Sequence, residues 1–396
     1  MTIPAYVLLG LCVLVSLVWT TRHLLINRER RKGFELTGEY SQPPADAPRL
    51  SVLIAAKDEE DNIAACLESL VAQDYPNFEV IVCNDRSTDR TGEIVRQFAS
   101  RDERIKLVDV DHLPDGWMGK SHALSHGVKE ATGDWLCLID ADCVQENDST
   151  LTVARQYAED TDADLLSLLP HMTTKTFWEK LIQPVCSGVM MIWYKPEQVN
   201  NPNKPNAAYA NGAFMLFKRD SYEAVGGHES IKQIVNEDIH LARRIKSRSD
   251  MRLRVARTDK LYSVRMYTGL REIINGWTRI FYGAFHTTRR MIVSWLLVAV
   301  MGLLPYFVAP VGLAAWSAGA DEVWLWAGLA GLLAAVLQLS VIFRFYGLAG
   351  GDRRMFWTYP IASLFVLWII TRAFLKTRKG ASLRWKGTAY ANPAQY

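Results

Sequence analysis

The 396-residue sequence is poor in cysteine, with Cys12, Cys66, Cys83, Cys137, Cys143 and Cys186 scattered singly through apolar runs. No two of them have metal-ligand spacing, so they read as reduced thiols in a core or membrane and exclude a disulfide framework. Net charge is also scarce, only +3. That small an imbalance excludes no class of partner by itself, and no motif below calls for a nucleic acid. Charge is absent from residues 3–19, and no basic residue precedes them. The missing basic flank argues against a signal peptide. Apolar residues are abundant instead: 49% of the chain is hydrophobic, with 13 tryptophans. The excess lies in one segment at the start and a block after residue 290.

Residues 1–22 read as a transmembrane anchor, because 3–19 come close to the ~20 apolar residues that span a bilayer. Arg22, Arg28, Arg30, Arg31 and Lys32 follow the run. The positive-inside rule then sets the N-terminus outside and the next domain in the cytoplasm. Residues 23–49, with Pro43, Pro44 and Pro48, read as a basic, Pro-rich linker. Residues 286–376 hold three apolar stretches of spanning length, 291–317, 323–343 and 357–375. The 377–396 tail carries Lys376, Arg378, Lys379, Arg384 and Lys386 at or near its start, a cytoplasmic signature. Three crossings would put that tail outside. Either one stretch does not cross, the first being the candidate because Pro305 and Pro310 interrupt it, or the rule fails here. The expected location is multi-pass in the inner or plasma membrane, with the soluble domain in the cytoplasm.

A soluble domain is expected over 50–285. Leu50–Ala56 is a continuous apolar strand of the kind buried on both faces, ending at Lys57, Asp58, Glu59, Glu60 and Asp61. Ile63, Cys66, Leu67 and Leu70 follow at helical spacing. A second strand from Phe78 ends at Asp85, a helix runs from about Thr91, and Lys106–Val110 is a third strand. Strand and helix alternating at this spacing imply parallel βαβ units in a doubly wound α/β sheet. A further strand from Trp135 ends in Asp140 and Asp142, one residue apart. Alternate residues of an extended chain point the same way, so both carboxylates can project from the carboxyl edge where such sheets bind ligands. Two hard oxygen ligands suit Mg²⁺ or Mn²⁺ held jointly with a phosphate. A solvated loop is the plainer reading, as helix-start roles are for Asp61 and Asp89.

The strings 51–60, 82–89 and 140–142 resemble the opening motifs of family 2 glycosyltransferases, and the likeness extends over 50 to about 285. The resemblance implies a GT-A fold, a mixed doubly wound sheet that binds a nucleotide sugar, here joined to transmembrane helices. It also implies roles. Asp58 and Asp85 hold the nucleoside, and Asp140 and Asp142 hold the metal on the diphosphate. Gly116 to Lys120 reads as a close-approach loop bearing a point charge suited to phosphate; it is similar to a string in lipid-directed members, including hopanoid- and carotenoid-associated ones. Glu237 and Asp238 open a helix that spacing reads as acid-capped. They are similar to the Glu-Asp motif whose Asp is the general base. His228 and His240 read as surface or core histidines.

Three features remain. Phe177–Tyr194 reads as an amphipathic interfacial segment or a buried core helix. The Gln/Arg-x-x-Arg-Trp motif of many relatives is missing; Trp277 and Arg279, in reversed order, are the candidates for acceptor and diphosphate contact. Residues 385–390 are similar to the tail of ceramide-glucosyltransferase-like members. Together these point to inverting transfer from a nucleotide sugar, UDP-linked, to a membrane-lipid hydroxyl. The rivals are a processive polysaccharide synthase and a noncatalytic membrane scaffold with a degenerate sugar-binding domain.

Overall fold

The computed structural model describes residues 3–29, 36, 46–258, 261–285, 287–377 and 382–391. Most of the 23–49 linker and both ends of the 377–396 tail lie outside these residues. The chain forms two units that interleave along the sequence: 34–173, 192–266 and 379–396 in one, and 1–33, 174–191 and 267–378 in the other. Residues 174–191 and 267–285, expected in the catalytic domain, thus group with the long apolar helices, while the tail groups with the sheet.

The first unit is built on strands β1 Leu50–Ala56, β2 Phe78–Asp85, β3 Ile105–Val110, β4 Trp135–Asp140, β5 Cys143–Gln145, β6 Leu165–Leu169, β7 His171–Met172, β8 Phe214–Lys218, β9 Leu253–Arg257, β10 Tyr262–Val264, β11 Ser382–Trp385 and β12 Thr388–Ala391. Seven of them make one sheet in the order β3-β2-β1-β4-β8-β6-β9. β1 to β4 run parallel, whereas β8 is antiparallel to both β4 and β6, so the sheet is mixed. Side chains alternate between its two faces. Val52 and Ile54 pack with Ile63, Leu67, Val95 and Leu151 on one face. Leu53 and Ile81 pack with Leu124, Leu241 and Ile245 on the other. Each such fully buried aliphatic side chain contributes roughly 1.5–3 kcal/mol. The strand order changes direction beside β1 and β4, the switch point at which open α/β sheets leave a crevice.

In the second unit, helices Ile3–Ile26, Thr288–Ser317, Glu322–Leu348 and Arg353–Lys376 are each long and apolar enough to cross a membrane. The first of the C-terminal three is continuous despite its prolines. A π-helical turn at Val298–Leu303 leads directly into Leu304–Ser317, which has Pro305 in its first turn and Pro310 inside it. Phe177–Trp193 is a helix that buries Leu181, Ile182, Val185 and Cys186 while Phe177 stays exposed. All six cysteines are unpaired and buried.

Candidate active site

Parallel strands finish together, and here they bring acidic ends to one edge. Pairing sets Ala56 beside Asn84, Ala55 beside Asp140, and Ile139 beside Phe214 at the start of antiparallel β8. The loops leaving β1 and β2 each open in left-handed backbone, Asp58 at φ 50° and Arg86 at φ 53°. Non-glycine residues hold that conformation only where the surroundings enforce it. Asp58 Oδ1 accepts from the Thr88 N–H at 2.7 Å, and the Asp58 N–H donates to Ser87 Oγ at 3.0 Å. Asp58 therefore ties the first acidic loop to the second. Asp89 accepts from the Thr91 N–H at 3.0 Å at the start of the Thr91–Ala99 helix. Asp85 is 2% exposed, and Arg86 grips both of its carboxylate oxygens, at 2.7 and 3.0 Å. A bidentate fork fixes orientation as well as charge.

Lys120 is the second residue of the Gly119–Glu130 helix, an element the sequence pattern does not reveal. Its Nζ lies 2.7 Å from Asp140 Oδ1 and 2.7 Å from Glu237 Oε1. Burial alone would lower the pKa of this ammonium; Asp140 and Glu237 outweigh burial and raise it. One permanent cation thus joins the end of β4 to the acidic pair.

Glu237 and Asp238 begin the Glu237–Lys246 helix and behave differently. Glu237 is buried, which would raise its carboxyl, but Lys120 holds it below the usual range. Asp238 is half-buried, with Oδ1 accepting from the Ile239 N–H at 2.7 Å and Oδ2 from the Gly212 N–H at 2.9 Å. Desolvation first, and the Glu237 charge second, push its carboxyl well above the usual range. A Cβ on Gly212 would lie 3.1 Å from Lys120 Nζ and 3.3 Å from Asp238 Oδ2, a tight approach that a side chain there would crowd. Nearby, Gly226 and Gly227 turn at φ 79° and 46° into His228, which is buried against Tyr222. Burial lowers His228 to about 4.

Desolvation, then the charges of Asp140 and Glu59, raise the Asp142 carboxyl. Repulsion of that kind is what a divalent cation relieves. Among the described residues no group of three or more His, Cys, Asp and Glu side chains forms a protein-only cage. The donor set fits an ion bound by one or two carboxylates whose other ligands are phosphate and water. Trp277 and Arg279 lie on the Leu270–Ala284 helix of the second unit. Trp277 is buried against Phe281, and Arg279 donates to Tyr267 Oη at 3.3 Å.

The tail supplies contacts that spacing does not reveal. β11 and β12 form a hairpin whose two-residue turn is Lys386 and Gly387, both left-handed at φ 46° and 76°. Lys386 Nζ donates to the Asp58 carbonyl at 3.1 Å and to Glu59 Oε1 at 2.7 Å. Tyr390 Oη accepts from the Gly119 N–H at 3.2 Å, and the Tyr390 hydroxyl lies beside the Arg86 guanidinium over Gly119.

Residues 51–226 match Glycosyl transferase family 2. Over 262 residues the chain is 30% identical to the 4,4'-diaponeurosporenoate glycosyltransferase of Staphylococcus aureus strain USA300, spanning 64% of this chain and 68% of that protein. The chain belongs to glycosyl transferase family 2. This glycosyltransferase also superimposes, with a TM-score of 0.54, on a mannosyltransferase from Pyrobaculum calidifontis solved in complex with GDP-Man and Mn²⁺. The identity there is 20%, over 93% of this chain and 98% of the other, and the likeness is one of GT-A fold. The sheet order, the acidic strand ends and the family agree on a glycosyl-transferring enzyme.

Proposed function

We propose that this glycosyltransferase moves a sugar from a nucleotide donor, UDP-linked, to a hydroxyl of a membrane-lipid acceptor, inverting the anomeric centre, at the cytoplasmic face of the inner or plasma membrane. One observation carries the reading: Lys120 bridges Asp140 and Glu237 at 2.7 Å each. The strand-end carboxylates assigned to the donor thereby sit one ammonium away from the pair assigned to the acceptor. The lipid acceptor is supported by the four membrane-length helices and by the activity for which the staphylococcal relative is named.

In this mechanism Asp238 takes the proton from the acceptor hydroxyl. The acceptor oxygen then bonds to the anomeric carbon as the bond to the diphosphate oxygen breaks, and the nucleoside diphosphate leaves. Asp238 suits the base role better than Glu237, since it is less buried, carries no ion pair to Lys120, and its raised carboxyl is the stronger base. Glu237 keeps Lys120 in place, and Lys120 sets a positive charge beside Asp140. Asp58 and Asp85 order the loops that receive the nucleoside. Asp140 and Asp142 would hold Mg²⁺ or Mn²⁺, whose charge offsets that of the leaving diphosphate.

The test is release of nucleoside diphosphate from UDP-sugars by the purified enzyme, with and without membrane-lipid extract. Release that depends on lipid and yields a monoglycosylated lipid is the expected result. A growing polysaccharide, or no release under any condition, would replace this reading with one of its rivals.

A further inference from the structure

The C-terminal hairpin touches three separate parts of the edge described above. Lys386 holds the loop after β1 through the Asp58 carbonyl and Glu59. Tyr390 sits beside Arg86, whose guanidinium clamps Asp85, and it occupies the first N–H of the helix that carries Lys120. None of the three parts adjoins residues 382–391 in sequence.

Two details set these contacts apart from casual packing. A two-stranded hairpin standing alone is marginal in water, so this one depends on what it touches. Its turn also favours Asn-Gly or Asp-Gly, because both central residues are left-handed. Lys386 at φ 46° is a poor choice for the turn and a good one for reaching Glu59 at 2.7 Å. Gly119 complements it. A Cβ there would lie 2.6 Å from Asp85 Oδ2, which it would displace, and 3.2 Å from Tyr390 Oη, which it would crowd.

We propose that the hairpin is the roof of the donor site, with Lys386 and Tyr390 as positioning residues that preorganise the β1 loop, the Arg86–Asp85 pair and the start of the Gly119–Glu130 helix around a nucleoside diphosphate. The proposal rests on the nucleotide-sugar reading above and adds a segment to it. Preorganisation strengthens binding by removing the cost of ordering loops when the ligand arrives. Its loss therefore weakens donor affinity and leaves the chemical step alone.

The experiment uses the full chain in detergent, with Lys386→Asn and Tyr390→Phe. Asparagine suits a left-handed turn position, so Lys386→Asn removes the ammonium while favouring the hairpin. Tyr390→Phe removes one hydroxyl. UDP and GDP are titrated separately into the unaltered protein and both variants with Mg²⁺ present, alongside donor KM, kcat and the melting temperature without nucleotide. Expected are a nucleotide Kd and a donor KM raised about tenfold for Lys386→Asn and about fivefold for Tyr390→Phe, the scale of a charged and a neutral hydrogen bond. The kcat at saturating donor and the melting temperature stay unchanged. If the unaltered protein binds nucleotide and the variants bind it equally well, the roof is overturned while the donor reading stands. A lowered melting temperature with unchanged KM gives the hairpin a structural role only and also overturns the roof. Tighter binding in the variants would make the hairpin a competitor of the nucleotide, which overturns the roof as well. Binding of neither nucleotide by the unaltered protein would overturn the donor reading and the roof together.

Discussion

At the scale of single residues, the acidic groups divide by what holds them. Asp85 is locked by Arg86, Glu237 by Lys120, and Asp238 by two backbone N–H groups beside a like charge. A base acts in the transition state and a nucleoside contact acts in binding, so their losses should separate. Asp238→Asn is expected to lose nearly all transfer, about 10²-fold or more, yet to bind UDP-sugar as the parent does. Asp85→Asn is expected to weaken binding first. Paired nucleotide titrations and transfer assays check both. The pH profile has a defined sign. Asp238 must be deprotonated to act and its carboxyl is raised, so activity should fall with acidification at a pH above the ordinary carboxylate range. A kcat profile whose acid limb lies near pH 4, where an ordinary carboxylate titrates, would remove Asp238 from the base role. Asp142→Asn should abolish metal-dependent nucleotide binding in a folded protein, and EDTA should silence the parent; full activity in EDTA would exclude the ion.

At the scale of elements, one internal carboxylate sets the acid stability of the sheet. Glu79 on β2 is 1% exposed and accepts from Ser51 Oγ, from the Thr132 N–H and hydroxyl, and from Lys106 Nζ, at 2.7–2.8 Å. Burial alone would raise it; the hydrogen bonds from Lys106, Thr132 and Ser51 prevail and lower it from 4.5 to about 2. A depressed folded-state value means stability present in full above the unfolded value and lost as pH falls from about 4.5 towards 2, about 3 kcal/mol in all. Glu79→Gln should flatten that part of the stability curve, measured as melting temperature against pH. Sequence patterning revealed β1, β2 and β4 because apolar residues dominate each, and it revealed their acidic ends because these follow directly; β3, with Lys106 and Asp109, was legible from the alternation of strand and helix. It missed the Gly119–Glu130 helix, whose Gly, Lys, Ser and His residues carry little periodicity. That helix packs through Gly127, where a Cβ would lie 2.6 Å from Cys83 Sγ. It missed the antiparallel insertion of β8 between β4 and β6, and the Lys120 bridge to Glu237, because both are long-range pairings with no local signature.

At the scale of the whole molecule, the tail and the catalytic sheet belong to one unit, with Lys386 against Asp58. They therefore lie on one side of any bilayer the chain enters. Among the described residues three helices of membrane length stand between Met266 and Ser382, an odd number, so the proposed cytoplasmic side for both sheet and tail requires that not all three cross once each. Single cysteines introduced at Ser100 and at Thr388 of a cysteine-free variant should respond alike to an impermeant reagent, both unlabelled in intact cells and both labelled after lysis. Opposite responses would contradict the docked hairpin, and labelling of both in intact cells would invert the proposed orientation. The same hairpin has a consequence in time. The sheet and its carboxylates are complete once Tyr262–Val264 has been translated, but Lys386 and Tyr390 leave the ribosome only after three further long apolar helices. If the hairpin roofs the donor site as proposed, a nascent chain can fold its sheet early and still lack the roof. Its last pieces would then arrive only after the long apolar helices have been made, so translation order would delay tight capture of a nucleotide until those helices exist.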